Sequence, residues 1–479
     1  MTDLLIYDTE ATDADKRHGQ ITQFSAVKTN LDMTSASYFD IRVRPLPWVV
    51  VTPGALRVTK MDAAELFCEE AVPEFEAAGR IAEILRVPYG GERIFVTYNG
   101  IEFDDELIRT TLYRNMQYAY QTTGKGATRV DMLDGVRLLG HLHPDLINTV
   151  FDDEKGKLSW RLEKICPANG IEIDAHDALQ VSVALTELTR LLRSRAPWIW
   201  DTLVRAGNPK RVDAVIEEAV ARCEPLFLFT HFGTPEIVPC FPMASDGKRR
   251  YLLADLRSEE FPTDFEAAMA VVGRKGTPFP IIKSNLSPIF VDHSHLSEVH
   301  DFDLSALAEK ISLIKQNPAI ADVCSQILAR REYQPPADQT SEEKIYDGFF
   351  SGDDKSMIRR FLASHSWEER ATMEFMDPRL DDFASRIVLD ALYNGEASLP
   401  PEIRTDLERR AREALARPFA DASARWATIA SALAGDPSPA WIDWASGYYG
   451  LDKDWGEDMV DPDGGHAEAA PTVQYSFPF

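Results

Sequence analysis

The chain opens on a short apolar run, residues 4–7, that closes in two acids one position apart, Asp8 and Glu10. Runs at 21–28 and 37–43 have the same texture. Each is short, rich in β-branched or aromatic residues and bounded by polar turns, which predicts a three-stranded meander. Residues 61–86 carry the apolar period of a helix. A buried strand is predicted at 93–98, followed by a turn at Asn99-Gly100 and a helix through Arg114. Another helix is predicted over 179–195, after the turn signal Asn169-Gly170. Strands first, then alternating helices and strands, predict an α/β domain with a mixed sheet over residues 1–195.

Pro-aromatic punctuation at 196–206 marks a junction. Beyond about 225 the pattern turns to short strands at 227–230, 240–243, 250–255 and 279–283, the texture of a small β barrel within 196–340. Residues 303–332 and 341–434 are helical by pattern, so 341–450 read as a helical domain. The composition then changes. Residues 452–468 hold seven acids against one lysine, and 451–479 read as an acidic disordered tail ending Phe477-Pro478-Phe479.

At 479 residues the chain exceeds what one core organises. A net charge of −26 argues against a protein that coats nucleic acid over its whole surface. It leaves room for a local basic groove, or for metal ions that supply positive charge at a phosphate. Five scattered cysteines without paired metal-ligand spacing point to reduced thiols in a cytoplasmic protein and away from zinc. No apolar run approaches the roughly 20 residues that span a bilayer, and the start lacks a signal-peptide pattern, so no membrane partner is expected.

Three polar clusters carry candidate chemistry. In a strand, residues i and i+2 face the same way, so Asp8 and Glu10 project together and their repulsion needs an offset. A bound divalent cation provides one; a plain polar strand end accounts for the same pair equally well. Asp104 falls at a helix start, where free backbone N–H groups favour an anion, and simple capping by Asp104 or Asp105 remains open. The third cluster, Ala175-His176-Asp177-Ala178, precedes the helix over 179–195, where a histidine alone carries no message.

In this order, Asp-x-Glu, Asn-x-x-Phe-Asp and His-Asp-Ala resemble the histidine subtype of the DEDD family of 3′→5′ exonucleases. Pro53-Gly54-Ala55-Leu56, residues 98–106, Leu112-Tyr113-Arg114-Asn115, Ser159-Trp160-Arg161-Leu162-Glu163, residues 168–172 and residues 345–351 extend the resemblance to the exodeoxyribonuclease I family, over residues 1 to about 450. The resemblance implies an RNase H-like exonuclease domain at 1–195, an SH3-like β-barrel domain at 196–340 and a C-terminal helical domain at 341–450. Together these would enclose single-stranded DNA. The implied reaction is hydrolysis to 5′-mononucleotides with two Mg²⁺ or Mn²⁺ ions. Asp8 and Glu10 would be metal ligands, with Glu10 also beside the terminal nucleotide, and Asp104 would hold the second ion. His176 would be the general base, and Arg161 would contact substrate phosphate. Lys248-Arg249-Arg250, Arg274-Lys275 and Lys283 are candidate channel linings, though scattered surface charge accounts better for each taken alone. The acidic tail ending in Pro-Phe resembles the C-terminal peptide of single-stranded-DNA-binding protein, a partner in this family.

The pattern breaks at one place. The family's last motif sets an aspartate five residues after the histidine, and that position holds Val181, which cannot ligate a metal. Asp177, one helical turn earlier, would reach the site only with a shift of the helix start. A catalytically impaired single-stranded-DNA-binding homologue is therefore the alternative to an active nuclease. An RNA exonuclease fits the first domain alone.

Overall fold

The structure, a computed structural model, describes residues 2–449 apart from 62, 154–155, 175–176, 231–233, 273, 275, 297–299, 331–334 and 436. The expected acidic tail and His176 lie outside the described residues.

The first sheet is mixed, with strand order β3-β2-β1-β4-β5. Strand β1 (Thr2–Ala11) pairs antiparallel with β2 (Ile21–Asn30), which pairs antiparallel with β3 (Ala36–Arg42). On its other side β1 runs parallel to β4 (Glu92–Thr97), which runs parallel to β5 (Ala127–Asp131). Period-two alternation sorts β1 between two cores. Leu4 and Ile6 pack with the helices of one face, and Leu5 and Tyr7 with those of the other.

The apolar period over 61–86 does not make one helix. Helix α1 (Pro53–Thr59) precedes it, a 3₁₀ turn occupies Ala63–Phe67, and α2 (Glu74–Leu85) begins only after Pro73. Proline lacks the N–H a helix interior needs and disfavours helical geometry in the residue before it, so the pattern splits there. Helix α3 (Asp104–Arg114) packs with α2 on the Leu5–Tyr7 face. Helices α4 (Met132–Leu142), α5 (Leu162–Ala168), α6 (Ala178–Arg195) and α7 (Pro197–Ala206) join the Leu4–Ile6 face. A small hairpin, β6 (Val150–Asp152) and β7 (Lys157–Ser159), lies between α4 and α5.

Helix α8 (Pro209–Arg222) leads into a second five-stranded sheet of order β11-β10-β9-β8-β12, antiparallel throughout. Its strands are β8 (Leu226–Thr230), β9 (Glu236–Ser245), β10 (Arg250–Asp255), β11 (Ile281–Lys283) and β12 (Ile289–Val291). Helix α9 (Phe265–Val271) interrupts the strand sequence, and α10 (Leu304–Gln316) and α11 (Pro318–Arg330) follow it. Residues of β8, β9, β10, α10 and α11 belong to the same apolar cluster as Leu4, Ile6 and α6, so one core runs through both sheets.

The C-terminal region is helical: α12 (Gly352–Ala363), α13 (Trp367–Ala371), α14 (Pro378–Tyr393), α15 (Pro401–Arg410), α16 (Arg412–Ala416), α17 (Ile429–Ala434) and α18 (Pro439–Tyr448). It returns to the first unit. Trp441 Nε1 donates to Val51 O at 2.9 Å, Tyr448 O–H to Pro45 O at 3.0 Å and Tyr449 O–H to Val49 O at 3.0 Å. Among the described residues no helix is long and apolar enough to cross a membrane.

Candidate active site

Asp8 and Glu10 continue the even-numbered face of β1, the face that α6 covers, as the strand period requires. Thr9 points the other way and meets the start of α3. Its backbone N–H donates to Asp104 Oδ1 at 3.0 Å and its hydroxyl donates to the same oxygen. Asp104 is therefore fastened to β1 and does not cap α3 with its side chain. The turn that delivers it is tight. Asn99 takes a positive φ of 64°, and a Cβ on Gly100 would stand 2.7 Å from Asp104 Oδ2.

The electrostatics of these acids are unfavourable without a cation. Burial, then the charges of Asp104 and Glu10, hold the Asp8 carboxyl well above its ordinary range. Burial, then Asp104 and Asp177, push Glu10 up to about 7. Burial raises Asp104 to about 6 against the Thr9 hydrogen bond that lowers it, with Asp105 adding to the rise. Neither the Asp8 nor the Glu10 carboxylate has a hydrogen-bond or ion-pair partner among the described residues. An all-oxygen donor set of this kind suits Mg²⁺ or Mn²⁺. Among the described residues no three His, Cys, Asp or Glu side chains already converge on one point that could hold a metal, and Asp104 commits Oδ1 to Thr9. The acids fit a hard divalent ion by chemistry and position, and a bound ion would have to draw them together.

Helix α6 forms the wall beside them. Asp177 caps it, its Oδ1 accepting from Leu179 N at 2.9 Å and Gln180 N at 3.0 Å. Ser182 Oγ and Ser25 Oγ lie 2.9 Å apart, and Ser25 pairs with Asp8 across β1 and β2, so the helix register against the sheet is pinned here. That register turns Val181 into the cleft that also holds Asp8, Glu10 and Asp104. The helix start is capped rather than shifted, and Ser182 faces the sheet.

The cleft has a volume of about 1240 Å³. Tyr98, Phe103 and Trp160 supply aromatic surface to it, and Arg57, Lys60, Arg137, Lys157, Arg161 and Lys164 line it. Arg161 precedes α5, with a 64% exposed side chain 3.5 Å from Glu163. Of these cations only Arg161 stood out in the sequence. The others come from α1, the β6–β7 hairpin, α4 and α5, and their only shared signal is proximity after folding. In the basic run at 248–250 two of the cations are held in ion pairs, in line with ordinary surface charge. Arg249 pairs with Asp213 and Arg250 with Asp246, ordinary anchoring of β10. Arg274 and Lys283 line a separate cavity of about 720 Å³ between the two sheets, which shares Arg137 with the cleft. Lys275 lies outside the described residues.

No family model matches the chain. Four curated relatives do, two of which follow. Exodeoxyribonuclease I of Escherichia coli strain K12 is 25% identical over 386 residues, spanning 75% of this chain and 79% of that protein. Exodeoxyribonuclease I of Haemophilus influenzae is 25% identical over 411 residues, spanning 78% and 83%. Among solved structures, E. coli exonuclease I in complex with a dA16 oligonucleotide superposes with a TM-score of 0.75 at 21% identity, covering 96% of this chain and all of that one. The zinc-ion-bound form of an E. coli ExoI–ssDNA complex gives 0.74 at 20%, covering 96% and 100%. An ExoI/SSB-Ct complex gives 0.72 at 20%, covering 96% and 97%. The fold, a mixed-sheet α/β unit with further units behind it, is thus that of the exonuclease I structures. The chain is similar in sequence to exodeoxyribonuclease I over about three quarters of its length.

Proposed function

We propose that the chain is a 3′→5′ exonuclease on single-stranded DNA, acting in the cytoplasm in DNA repair and recombination and releasing 5′-mononucleotides with two Mg²⁺ or Mn²⁺ ions. The observation that carries this reading is the meeting of Asp8, Glu10 and Asp104 in a cleft lined by six cationic side chains. Asp8 and Glu10 would hold one ion and Asp104 the other, with Glu10 also facing the terminal nucleotide. When bound there, divalent ions would supply charge neutralisation at a phosphate and would lower the pKa of a water. Arg161, with Lys157 and Lys164, takes backbone phosphates, and the faces of Tyr98 and Trp160 accept bases by stacking. His176 takes the proton of the attacking water.

The second sheet is assigned as the SH3-like domain and the C-terminal helices as the remaining wall of a clamp around one strand. The complex of ExoI with SSB-Ct supports a partner peptide of that kind for this chain as well.

Val181 favours a second reading. A valine in the cleft wall, where the family motif sets a carboxylate, fits a homologue that grips single strands and cuts them poorly or not at all. The test is 3′-labelled single-stranded DNA with Mg²⁺ or Mn²⁺, given to the parent, Asp8→Ala and Val181→Asp. Mononucleotide release by the parent and not by Asp8→Ala establishes the nuclease. Cutting by Val181→Asp alone establishes the binding homologue. Absence of both cutting and binding overturns both.

A further inference from the structure

Strand β5 lies at the sheet edge, one strand beyond β4 and two from the acids of β1, and its charged residues are buried. Arg129 is 6% exposed. Its Nη1 donates to Asp105 Oδ2 at 2.9 Å, and its Nη2 donates to the backbone carbonyl of Asn285, in the second sheet's unit, at 2.6 Å. Asp105 also accepts the Tyr7 hydroxyl. Tyr7 and Thr9 flank Asp8, so the first turn of α3 is tied to β1 on both sides of that acid. Two residues along, Asp131 accepts from Asn99 N at 2.7 Å and from Ile101 N at 3.4 Å, which holds the turn that delivers Asp104. Arg129 is itself immobilised. Its N–H donates to Gly207 O at 3.2 Å, and a Cβ on Gly207 would fall 1.6 Å from its carbonyl oxygen, so α7 ends directly against it.

We propose that Arg129 and Asp131 are the positioning residues of the acidic site. They set the distance between Asp104 and Asp8, and through Arg129 the second unit becomes part of that support. The inference rests on the metal-dependent reading above. Neither residue needs to touch an ion or a strand, because they act on the turn and helix that carry Asp104. Residues that orient ligands from behind typically change metal affinity by about 10–100-fold when altered.

The experiment is Mn²⁺ titration calorimetry on the full chain, with thermal melting and with single-stranded DNA binding in EDTA as parallel readouts. Arg129→Lys keeps a cation for Asp105 and loses the fork that also reaches Asn285. Asp131→Asn keeps an acceptor for Asn99 N and places an amide against Ile101 N. Each is expected to weaken Mn²⁺ binding by roughly tenfold while strand binding in EDTA is kept. Parent-like Mn²⁺ affinity together with a lowered melting temperature would mean that the two residues only hold the units together, and would overturn the proposal. Asp8→Ala separates the two levels. If the parent binds Mn²⁺ and Asp8→Ala does not, the metal reading stands and the β5 variants decide the inference. If the parent takes up no Mn²⁺, both fall.

Discussion

At the first turn of α3 the side chains of Asp104 and Asp105 part. Asp104 takes the amide and hydroxyl of Thr9 on the side of the cleft, while Asp105 takes the Tyr7 hydroxyl and the Arg129 guanidinium in the interior. Adjacent carboxylates of one helix turn thereby have separate duties. Asp105→Ala strands a buried cation and a buried hydroxyl and should cost about 3–5 kcal/mol of stability. Asp104→Asn retains an acceptor for Thr9 and should stay within about 1 kcal/mol of the parent while losing nuclease activity. Urea denaturation of the two variants beside a nuclease assay checks the contrast, and equal destabilisation would contradict it.

The carboxyls of Glu10 and Asp104 are raised from 4.5 to about 7 and from 3.8 to about 6. Between the unfolded and folded values the native protein holds more protons than the unfolded chain. The stability these groups contribute is therefore full below about pH 4 and is lost as pH rises toward about 7. A divalent ion competes with those protons and reverses the loss. Melting scans should show a larger Mn²⁺-induced gain at pH 8 than at pH 5; equal gains would remove these acids from the ion's site.

Gly100 has no room for a side chain, since a Cβ there would lie 2.5 Å from Thr97 Cβ and 2.7 Å from Asp104 Oδ2. Gly100→Ala should destabilise by about 1–3 kcal/mol and displace Asp104 enough to depress activity well before the protein unfolds. Gly352→Ala, where nothing stands within 4 Å of the added methyl, is the matched control and should leave both properties alone.

The cations around the cleft are expected to act on phosphate rather than on sequence. Arg161→Ala and Lys157→Ala should each weaken single-strand binding uniformly across sequences. Each should also lower the slope of log affinity against log salt by about 0.7 for every phosphate left without its cation. Fluorescence anisotropy over a salt series reads this directly. An unchanged slope would place that side chain away from the strand.

Much of the first unit was legible because its signals are local. Strands β1 to β4 announce themselves by short β-branched runs, and the period of two already placed Asp8 and Glu10 on one face. Val181 drew notice only through the motif of the family that the sequence resembles, and the register of α6 puts it in the cleft wall. Strand β5 was not legible, because Arg129 and Asp131 break its apolar run and are satisfied only by partners brought in from α3, the 99–101 turn and the second unit. The cation-lined cleft escaped for a related reason. Lys157, Arg57 and Arg137 are unexceptional charges until a hairpin, a short helix and α4 bring them around the same space. The broken helix over 61–86 shows the opposite failure, an apolar period that outvoted Pro73.

The carbonyls of Pro45, Val49 and Val51 accept from side chains 403, 400 and 390 residues later in the chain. During synthesis that segment, which leads into α1 and the Arg57–Lys60 side of the cleft, waits for nearly the last described residues to leave the ribosome. A chain interrupted before Trp441 would leave those carbonyls without their donors, beside a first unit otherwise able to assemble its sheet. The flank of the cleft is thus closed only once α18 is in place, and a product halted short of it would offer proteases an open segment next to Arg57 and Lys60.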